Sequence, residues 1–174
     1  MQTIFDRPDA YGKGLNWAPY TVYDAATLIL RYLKSLPEPI ITFDLYDRFV
    51  AAMSWATGPG QSQAEYESQN TIFTLQGLIT ELQPLSRQLL LYLLDLLAVF
   101  ASKSDDNLMT TSRLVSMFQP ALLSKPSAVM SLKDYEDAAI VMIFIVENQD
   151  HFLIGMRRTV ENDTGVVPQN ADLE

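Results

Sequence analysis

The sequence predicts an all-helical bundle that forms one domain. Its 174 residues are enough for a single domain with a hydrophobic core and too few to expect two. Apolar residues make up 48% of the chain and recur at helical spacing, whereas no stretch of useful length alternates as a half-buried strand does. Clusters of proline and glycine separate the apolar segments and mark where helices end. Several helices packed around one core are therefore the expected architecture.

The first helix follows a leader, residues 1–20, that is rich in Gly, Pro and Asp and is expected to be irregular. Three apolar side chains can anchor this leader: Phe5, Leu15 and Trp17. Thr21 has an acidic residue three positions later, a typical helix N-cap, and predicts a helix over about 22–35. That helix has to stop at Pro37 and Pro39, because proline lacks an N–H and disfavours helical geometry in the residue before it.

Two further helices are expected before Pro84. Thr42 caps the second, which ends before the breaker cluster at 57–60 (Thr-Gly-Pro-Gly), expected to be an exposed loop. Apolar positions from about Gln63 onward predict the third helix, with an interruption near Asn70.

The most apolar segment, 88–101, predicts a fourth helix capped by Ser86. It is hydrophobic on nearly all sides, which is typical of a helix at the centre of a bundle. Its aromatic residues, Tyr92 and Phe100, are accordingly expected in the core, as are Phe118 and Phe144.

Two helices complete the bundle. The fifth begins at a threonine cap, Thr110 or Thr111, and runs through Phe118 until Pro120 closes it. The last runs from 131 or 132 to about 152. The helical domain is thus expected to span 21–155, followed by an acidic tail, 156–174, without apolar period and expected to be disordered.

Composition excludes several functions. The chain has no cysteine, so a thiol nucleophile, a disulfide framework and a cysteine metal site are absent, and a cytoplasmic location is expected. Its single histidine, His151, has no second histidine with which to form a metal site or a catalytic dyad. A net charge of −9 argues against nucleic-acid binding. The longest apolar stretch is broken by Tyr92 and Asp95, so no transmembrane segment is expected. No cofactor is predicted.

Three stretches together resemble the Rho GTPase-activating (RhoGAP) domain family. The first is 28–46, where a helix with basic residues meets Leu-Pro-Glu-Pro and a following Phe-x-Leu-Tyr; the second is 85–94, similar to the family's buried helix. The third matches the family's N-x-M-T … L … F … P-x-L-L signature through Asn107, Met109, Thr110, Leu114, Phe118, Pro120, Leu122 and Leu123. The leader is similar to that of fungal members, and the resemblance covers roughly 4–155.

The resemblance implies a RhoGAP-type bundle that binds a GTP-loaded Rho-family GTPase and needs no cofactor or metal. Four residues are candidates for contact with the GTPase: Arg31, Lys34, Asn107 and Arg113. Lys34 keeps a basic position of the family, but Leu30 stands where the family has a lysine, one residue and about 100° around the helix from Arg31. Arg113 replaces an asparagine and can only donate hydrogen bonds.

The family's catalytic arginine is expected to be missing. Members carry it in a loop of the form Gly-(apolar)-Phe-Arg-x-(small)-Gly, upstream of the leader, and no such pattern occurs in these 174 residues. Arg7 stands in the nearest likeness, which lacks both glycines. We therefore expect a bundle without its N-terminal helices, with no catalytic residue of its own and impaired GTPase activation. Two alternatives stay open: a helical scaffold that does not bind GTPases, and a truncated fragment with apolar surface exposed.

Overall fold

Helices follow one another along the whole described chain. A computed structural model describes residues 2–53 and 64–152 and contains no β-strand within them. A 3₁₀ turn, Phe43–Leu45, leads directly into α3. The helices are α1 (Gln2–Phe5), α2 (Val22–Lys34), α3 (Tyr46–Ala52), α4 (Ala64–Glu81), α5 (Pro84–Ala101), α6 (Ser104–Asn107), α7 (Thr111–Leu122) and α8 (Leu132–Glu147). The all-helical fold class is thereby confirmed. The breaker cluster at 57–60 and the acidic tail at 156–174 lie outside the described residues.

Two helices begin with the same capping arrangement. Thr21 at α2 and Ser131 at α8 each accept a hydrogen bond from the backbone N–H three residues later. The aspartate at that third position, Asp24 or Asp134, accepts in return from the cap backbone, which completes a capping box. Both starts match the sequence-based predictions because a capping box is a local signal.

Three features of the helices differ from the predicted ones. The helix α4 is continuous through Asn70. The helix α5 begins at Pro84 rather than after Ser86, because a backbone N–H in the first helical turn has no acceptor within the helix and proline, which lacks one, loses nothing there. The helix α7 continues through Pro120 to Leu122. The helix α8 ends at Glu147, where the side chain of Asn148 donates to the Phe144 carbonyl over 2.9 Å, and after this one-residue break residues 149–152 are again helical, close to the predicted end near 152.

The core lies where α7 and α8 pack together. The helix α5 packs on both of them, α2 packs on α7, and α3 joins α4 to α8. Buried leucine, isoleucine, valine and phenylalanine side chains from all of these helices form one continuous cluster. The cluster also includes Ile41, between two helices, and Met142 on α8, and both are fully buried, as are Phe49, Leu94 and Leu122.

The helix α5 is less central than predicted. Only one face is buried, through Leu90, Leu93, Leu94 and Leu97, whereas Tyr92 and Phe100 are exposed, contrary to the prediction that both lie in the core. Phe118 is buried and Phe144 is half-buried. In the described part of the chain, α5 is also the one helix long and apolar enough to cross a membrane, a property that core helices share. Its buried leucines account for part of that apolar character.

Residues 36–41, which include Pro37 and Pro39 and which we call the proline segment, link the end of α2 to the end of α7. The backbone N–H of Ile40 donates to the Ala121 carbonyl over 3.2 Å, and that of Ile41 donates to Leu122 over 2.9 Å. Ile41 and Leu123 form an isolated parallel bridge. The buried Gln119 adds a side-chain bond, since its Nε2 donates to the Leu123 carbonyl over 2.6 Å. These bonds fix α2 beside α7, the two helices that carry most of the predicted site.

The leader is more ordered than an irregular segment. It contains α1 and a series of turns in which the ring of Phe5 lies 6.2 Å from that of Trp17. Trp17 in turn contacts Tyr20. Gly12 has a φ of +78°, and a Cβ at this position would lie 2.3 Å from the Phe5 ring. Glycine is therefore required here for both conformation and packing.

Candidate functional site

Two predicted site residues, Arg31 and Lys34, lie on the outer side of α2. Both side chains are exposed, and the intervening Leu33 is buried, so the backbone under them is anchored in the core. Three residues apart on one helix, they are neighbours on its surface. Leu30 is half-buried and packs against the core, so its side chain contributes to the packing of α2.

The cations on α2 border different grooves. Arg31 lines a groove of about 600 Å³ between α2, α5 and the leader, which also includes Phe5, Tyr32 and Tyr92. Lys34 lines a groove of about 370 Å³ formed by the proline segment and the residues after α7. The ridge of α2 between the grooves therefore carries two cations and the exposed ring of Tyr32.

The other predicted site residues, Asn107 and Arg113, are brought together by the turn into α7. The Nδ2 of Asn107 donates to the Phe100 carbonyl over 2.9 Å, and its Oδ1 accepts from the backbone N–H of Met109 over 2.7 Å. Leu108 between them adopts a left-handed conformation, φ +60°, which these bonds hold in place. Both ends of the Asn107 amide are thus engaged inside the protein, which gives this residue a positioning role.

Arg113 supports the same turn from the first turn of α7. Its Nη1 donates to the Leu108 carbonyl over 2.7 Å, and its backbone N–H donates to the cap side chain of Thr110. The guanidinium has five N–H donors, of which this contact uses one. The side chain is exposed, so it is positioned by the turn while facing solvent.

Sequence reasoning missed the apolar part of this surface. Tyr32, Leu108 and Met117 are exposed on α2, on the turn and on α7. Tyr32 lies at the apolar spacing of α2, yet its side chain is exposed. The one available signal was residue type, because tyrosine and methionine are enriched in protein interfaces. We call Arg31, Tyr32, Lys34, Leu108, Arg113 and Met117 together the α2–α7 surface.

A charged cluster holds the segment after α7 beside this surface. Lys125 Nζ lies 2.8 Å from an Asp134 oxygen and 3.1 Å from an Asp47 oxygen, and 4.8 Å from the centre of the Tyr46 ring. The bond to Asp134, followed by that to Asp47, raises the pKa of Lys125 above its usual range. The bond from Lys125, followed by those from Ser131, holds the pKa of Asp134 well below its usual range.

Tyr46 completes this cluster from the base of α3. Its hydroxyl donates to the backbone carbonyl of Asp134, and burial raises the pKa of its phenol to about 12. Lys125 also lines the groove beside Lys34. The cluster therefore fixes α3, the segment after α7 and the start of α8 relative to one another.

The arrangement does not provide a metal centre in the part of the chain that is described. No three His, Asp or Glu side chains within 2–53 and 64–152 lie close enough to hold a metal ion. The residues of the α2–α7 surface offer guanidinium and ammonium donors flanked by apolar groups. Such a surface suits recognition of an acidic, partly apolar protein face rather than chemistry on a small substrate.

Comparison with known proteins identifies related chains. The family model of the RhoGAP domain matches residues 1–127. Rho-GTPase-activating protein 5 of Schizosaccharomyces pombe is 36% identical over 153 residues, which are 88% of this chain and 40% of that protein. Rho-GTPase-activating protein BAG7 of Saccharomyces cerevisiae is 34% identical over 84% of this chain and 35% of its own. The chain thus spans 40% or less of these two curated relatives.

Solved structures agree on the fold. The BH domain of Graf, the GTPase regulator associated with focal adhesion kinase, superimposes with a TM-score of 0.68 at 24% identity, over 87% of this chain and 77% of that one. Human Rho GTPase activating protein 15 superimposes with the same TM-score at 18% identity, over 82% and 64%. At these identities the likeness establishes the helical architecture alone.

Proposed function

The chain belongs to the RhoGAP domain family, and from that premise we propose that it binds a Rho-family GTPase in the GTP-loaded state. The observation that carries the proposal is the exposed pair Arg31 and Lys34 on α2, beside exposed Tyr32. Arginine and tyrosine are among the side chains that contribute most to protein interfaces. The two fungal relatives are named as Rho-GTPase-activating proteins, which supports the same partner.

The proposed site is the α2–α7 surface. Arg113 extends this site from α2 onto α7. The hydrogen bond from the Asn107 amide to the Phe100 carbonyl stabilises the turn, to which the Arg113 side chain is itself bonded through the Leu108 carbonyl. The ties between the proline segment and the end of α7 keep the two halves of the surface in one arrangement. Rigid presentation of charged side chains lowers the entropy lost on binding. A cytoplasmic location accords with this partner and with the absence of cysteine.

We further propose that these 174 residues bind the GTPase without accelerating hydrolysis strongly. An arginine inserted beside the nucleotide stabilises charge on the transferring phosphoryl group and accounts for about 10³–10⁵ in rate. The sequence contains no Gly-(apolar)-Phe-Arg-x-(small)-Gly loop. Arg7, the nearest likeness, lies in the turns after α1, where its carbonyl accepts from Ala10 and Tyr11.

Binding and hydrolysis are tested separately. Calorimetric titration against a panel of Rho-family GTPases should give heat with a non-hydrolysable GTP analogue bound and none with GDP. Lys34→Ala and Arg113→Ala should each weaken binding by about tenfold, ~1.4 kcal/mol. Lys133→Ala, an exposed lysine on α8, is the matched control and should leave affinity within twofold. Equal losses for all three variants would place the interface elsewhere.

Single-turnover hydrolysis then measures catalysis. Saturating amounts of this chain should raise the GTPase rate less than about tenfold, far below the effect of an arginine finger. A hundredfold acceleration would contradict the proposal, and Arg7→Ala and Arg31→Ala would show which guanidinium provides it.

A second function, a helical scaffold that does not bind GTPases, is favoured by one observation. Leu30 stands where the family has a lysine, and its side chain is half-buried against the core, unavailable as a charged contact. Absence of binding to every loaded GTPase in the same titration would establish this alternative.

A further inference from the structure

Leu108 combines an exposed apolar side chain with a backbone conformation that leucine rarely adopts. Its side chain is 65% exposed and its φ is +60°. An exposed leucine on its own needs no explanation. A positive φ does, because it brings Cβ too close to the following carbonyl oxygen and costs free energy in every residue except glycine. In the described part of the chain, Tyr11 is the one other non-glycine residue with a positive φ.

The surrounding structure holds this conformation without using the leucine side chain. The backbone N–H of Leu108 donates to the Ser104 carbonyl over 2.9 Å, and its carbonyl accepts from Arg113 Nη1 over 2.7 Å. The two bonds of the Asn107 amide support the same turn. Glycine or asparagine at position 108 could form all of these bonds at a lower conformational cost.

The turn therefore does not explain why position 108 is a leucine. The core does not explain it either, since Met109 packs against the buried cluster whereas Leu108 faces solvent. Residues held in a strained conformation by their surroundings are concentrated at binding positions. A strained leucine with a solvent-facing side chain thus indicates a contact with another molecule.

Leu108 is continuous with the cationic part of the α2–α7 surface. The Arg113 guanidinium is bonded to the carbonyl of Leu108 itself, so a cation and an apolar side chain lie side by side. Met117 lies one helical turn beyond Arg113 and is 39% exposed. A partner that fits these three residues offers a carboxylate beside an apolar recess.

We infer that Leu108 is a specificity-determining contact whose side chain enters an apolar recess of the GTP-loaded GTPase, next to a carboxylate that Arg113 binds. The inference rests on the proposed function, which supplies the GTPase as the occupant of this surface. Transfer of the leucine side chain from water into the recess contributes affinity. The turn is already fixed in the free chain, so little conformational entropy is lost when the contact forms.

Titration of position-108 variants tests the contact, with the Rho-family GTPase that binds the 174-residue chain most tightly, loaded with a non-hydrolysable GTP analogue. Leu108→Asn keeps the branched shape and suits the left-handed conformation but removes the apolar surface, so it should weaken binding about tenfold. Leu108→Met stays apolar and should remain within about threefold of the wild type. The matched control is Leu85→Asn, because Leu85 is 80% exposed and lies about 22 Å along α5 from Phe100, whose carbonyl binds Asn107. It should leave affinity unchanged.

Urea unfolding of the same variants separates a contact from a structural role. Leu108→Asn and Leu108→Gly should be at least as stable as the wild type, because both residues adopt the left-handed conformation more readily than leucine. Loss of stability in both variants would show that the leucine serves the fold and would overturn the inference. Unchanged affinity of Leu108→Asn would overturn it while the proposed function stands. Absence of binding by the wild type to every loaded GTPase would overturn both.

The double variant of Leu108→Asn and Arg113→Ala tests whether the two residues reach the same place on the GTPase. Arg113 holds the Leu108 carbonyl, so its removal also loosens the presentation of the leucine. The combined loss of affinity should therefore stay well below the roughly hundredfold loss of two independent tenfold effects. A full product of the two single losses would show separate contacts and contradict the shared recess.

Discussion

Asn107 and Gln119 show how single side chains set the backbone around the α2–α7 surface. The Asn107 amide both donates and accepts a hydrogen bond at the turn into α7. At the other end of that helix, the Gln119 side chain donates to the Leu123 carbonyl. The sequence motif identified Asn107 as a site residue. The engagement of its amide inside the protein could not be foreseen, because it depends on the left-handed conformation at Leu108, which a leucine does not signal.

Gly12 and Gly14 form a natural matched pair for measuring how firmly the leader is packed. Both have a φ of +78°, but a Cβ on Gly14 meets no atom within 4 Å, whereas one on Gly12 would collide with the Phe5 ring. Gly14→Ala should cost about 1 kcal/mol of stability from backbone strain alone. Gly12→Ala should cost about 1–2 kcal/mol more, because Phe5 has to leave its place beside Trp17.

Tryptophan fluorescence during urea unfolding checks this difference. Gly12→Ala should also shift the native emission to longer wavelength as Trp17 loses the Phe5 ring, whereas Gly14→Ala should not. Equal stabilities and equal spectra for the two variants would show that the ring of Phe5 does not hold the leader.

At the scale of elements, local signals located the helices, and one tertiary contact accompanies the extension of α7. Capping boxes and proline pairs lie within a few residues of the boundaries they set, so the starts of α2 and α8 and the end of α2 could be predicted. Pro120 was expected to close α7 and does not. It removes the N–H that would bond to the Ser116 carbonyl, and the hydroxyl of Tyr135 on α8 donates to that carbonyl over 3.1 Å instead.

Tyr135→Phe tests this replacement of a helix bond by a tertiary one. Loss of the hydroxyl leaves the Ser116 carbonyl to solvent and should lower the free energy of unfolding by about 1 kcal/mol. Pro120→Ala restores the backbone N–H that can bond to the Ser116 carbonyl. In that background, Tyr135→Phe should lower the free energy of unfolding much less. Chemical denaturation of the four proteins in this double-mutant cycle measures the coupling.

The control for the cycle is Tyr23→Phe, since Tyr23 is exposed on α2 and its change should be neutral in both backgrounds. Identical costs of Tyr135→Phe with Pro120 and with alanine would mean that its hydroxyl does not substitute for the missing helix bond.

At the scale of the whole molecule, the family and its fold could be read from three motifs, whereas the exposed faces could not. The apolar character of α5 predicted Tyr92 and Phe100 in the core, and both are exposed. Whether such a residue is covered depends on which helices pack against it, and α5 is buried on one face only. The exposed apolar residues of the α2–α7 surface therefore became visible only in the assembled bundle.

The Lys125 cluster joins three distant segments and gives the bundle a defined pH dependence. Because the pKa of Asp134 is lowered in the folded state, its contribution is complete above the ordinary aspartate pKa of about 4 and is lost progressively as the pH falls from there toward the lowered folded-state pKa. The pKa of Lys125 is raised, so its contribution is present below about pH 10 and is lost as the pH rises beyond it. Tyr46, with a pKa of about 12, acts in the same alkaline direction.

Stability measured by urea unfolding should therefore fall on both sides of a plateau between about pH 5 and pH 10. Lys125→Met removes the cation that both Asp134 and Asp47 bind, so it should lower the plateau and reduce the loss of stability between pH 5 and pH 3. Lys133→Met is the matched control. Lys133 is far more exposed, and its pair with Asp137 lies within α8, so the profile should keep its shape. A wild-type curve that Lys125→Met leaves unchanged in acid would show that the cluster does not hold the three segments together.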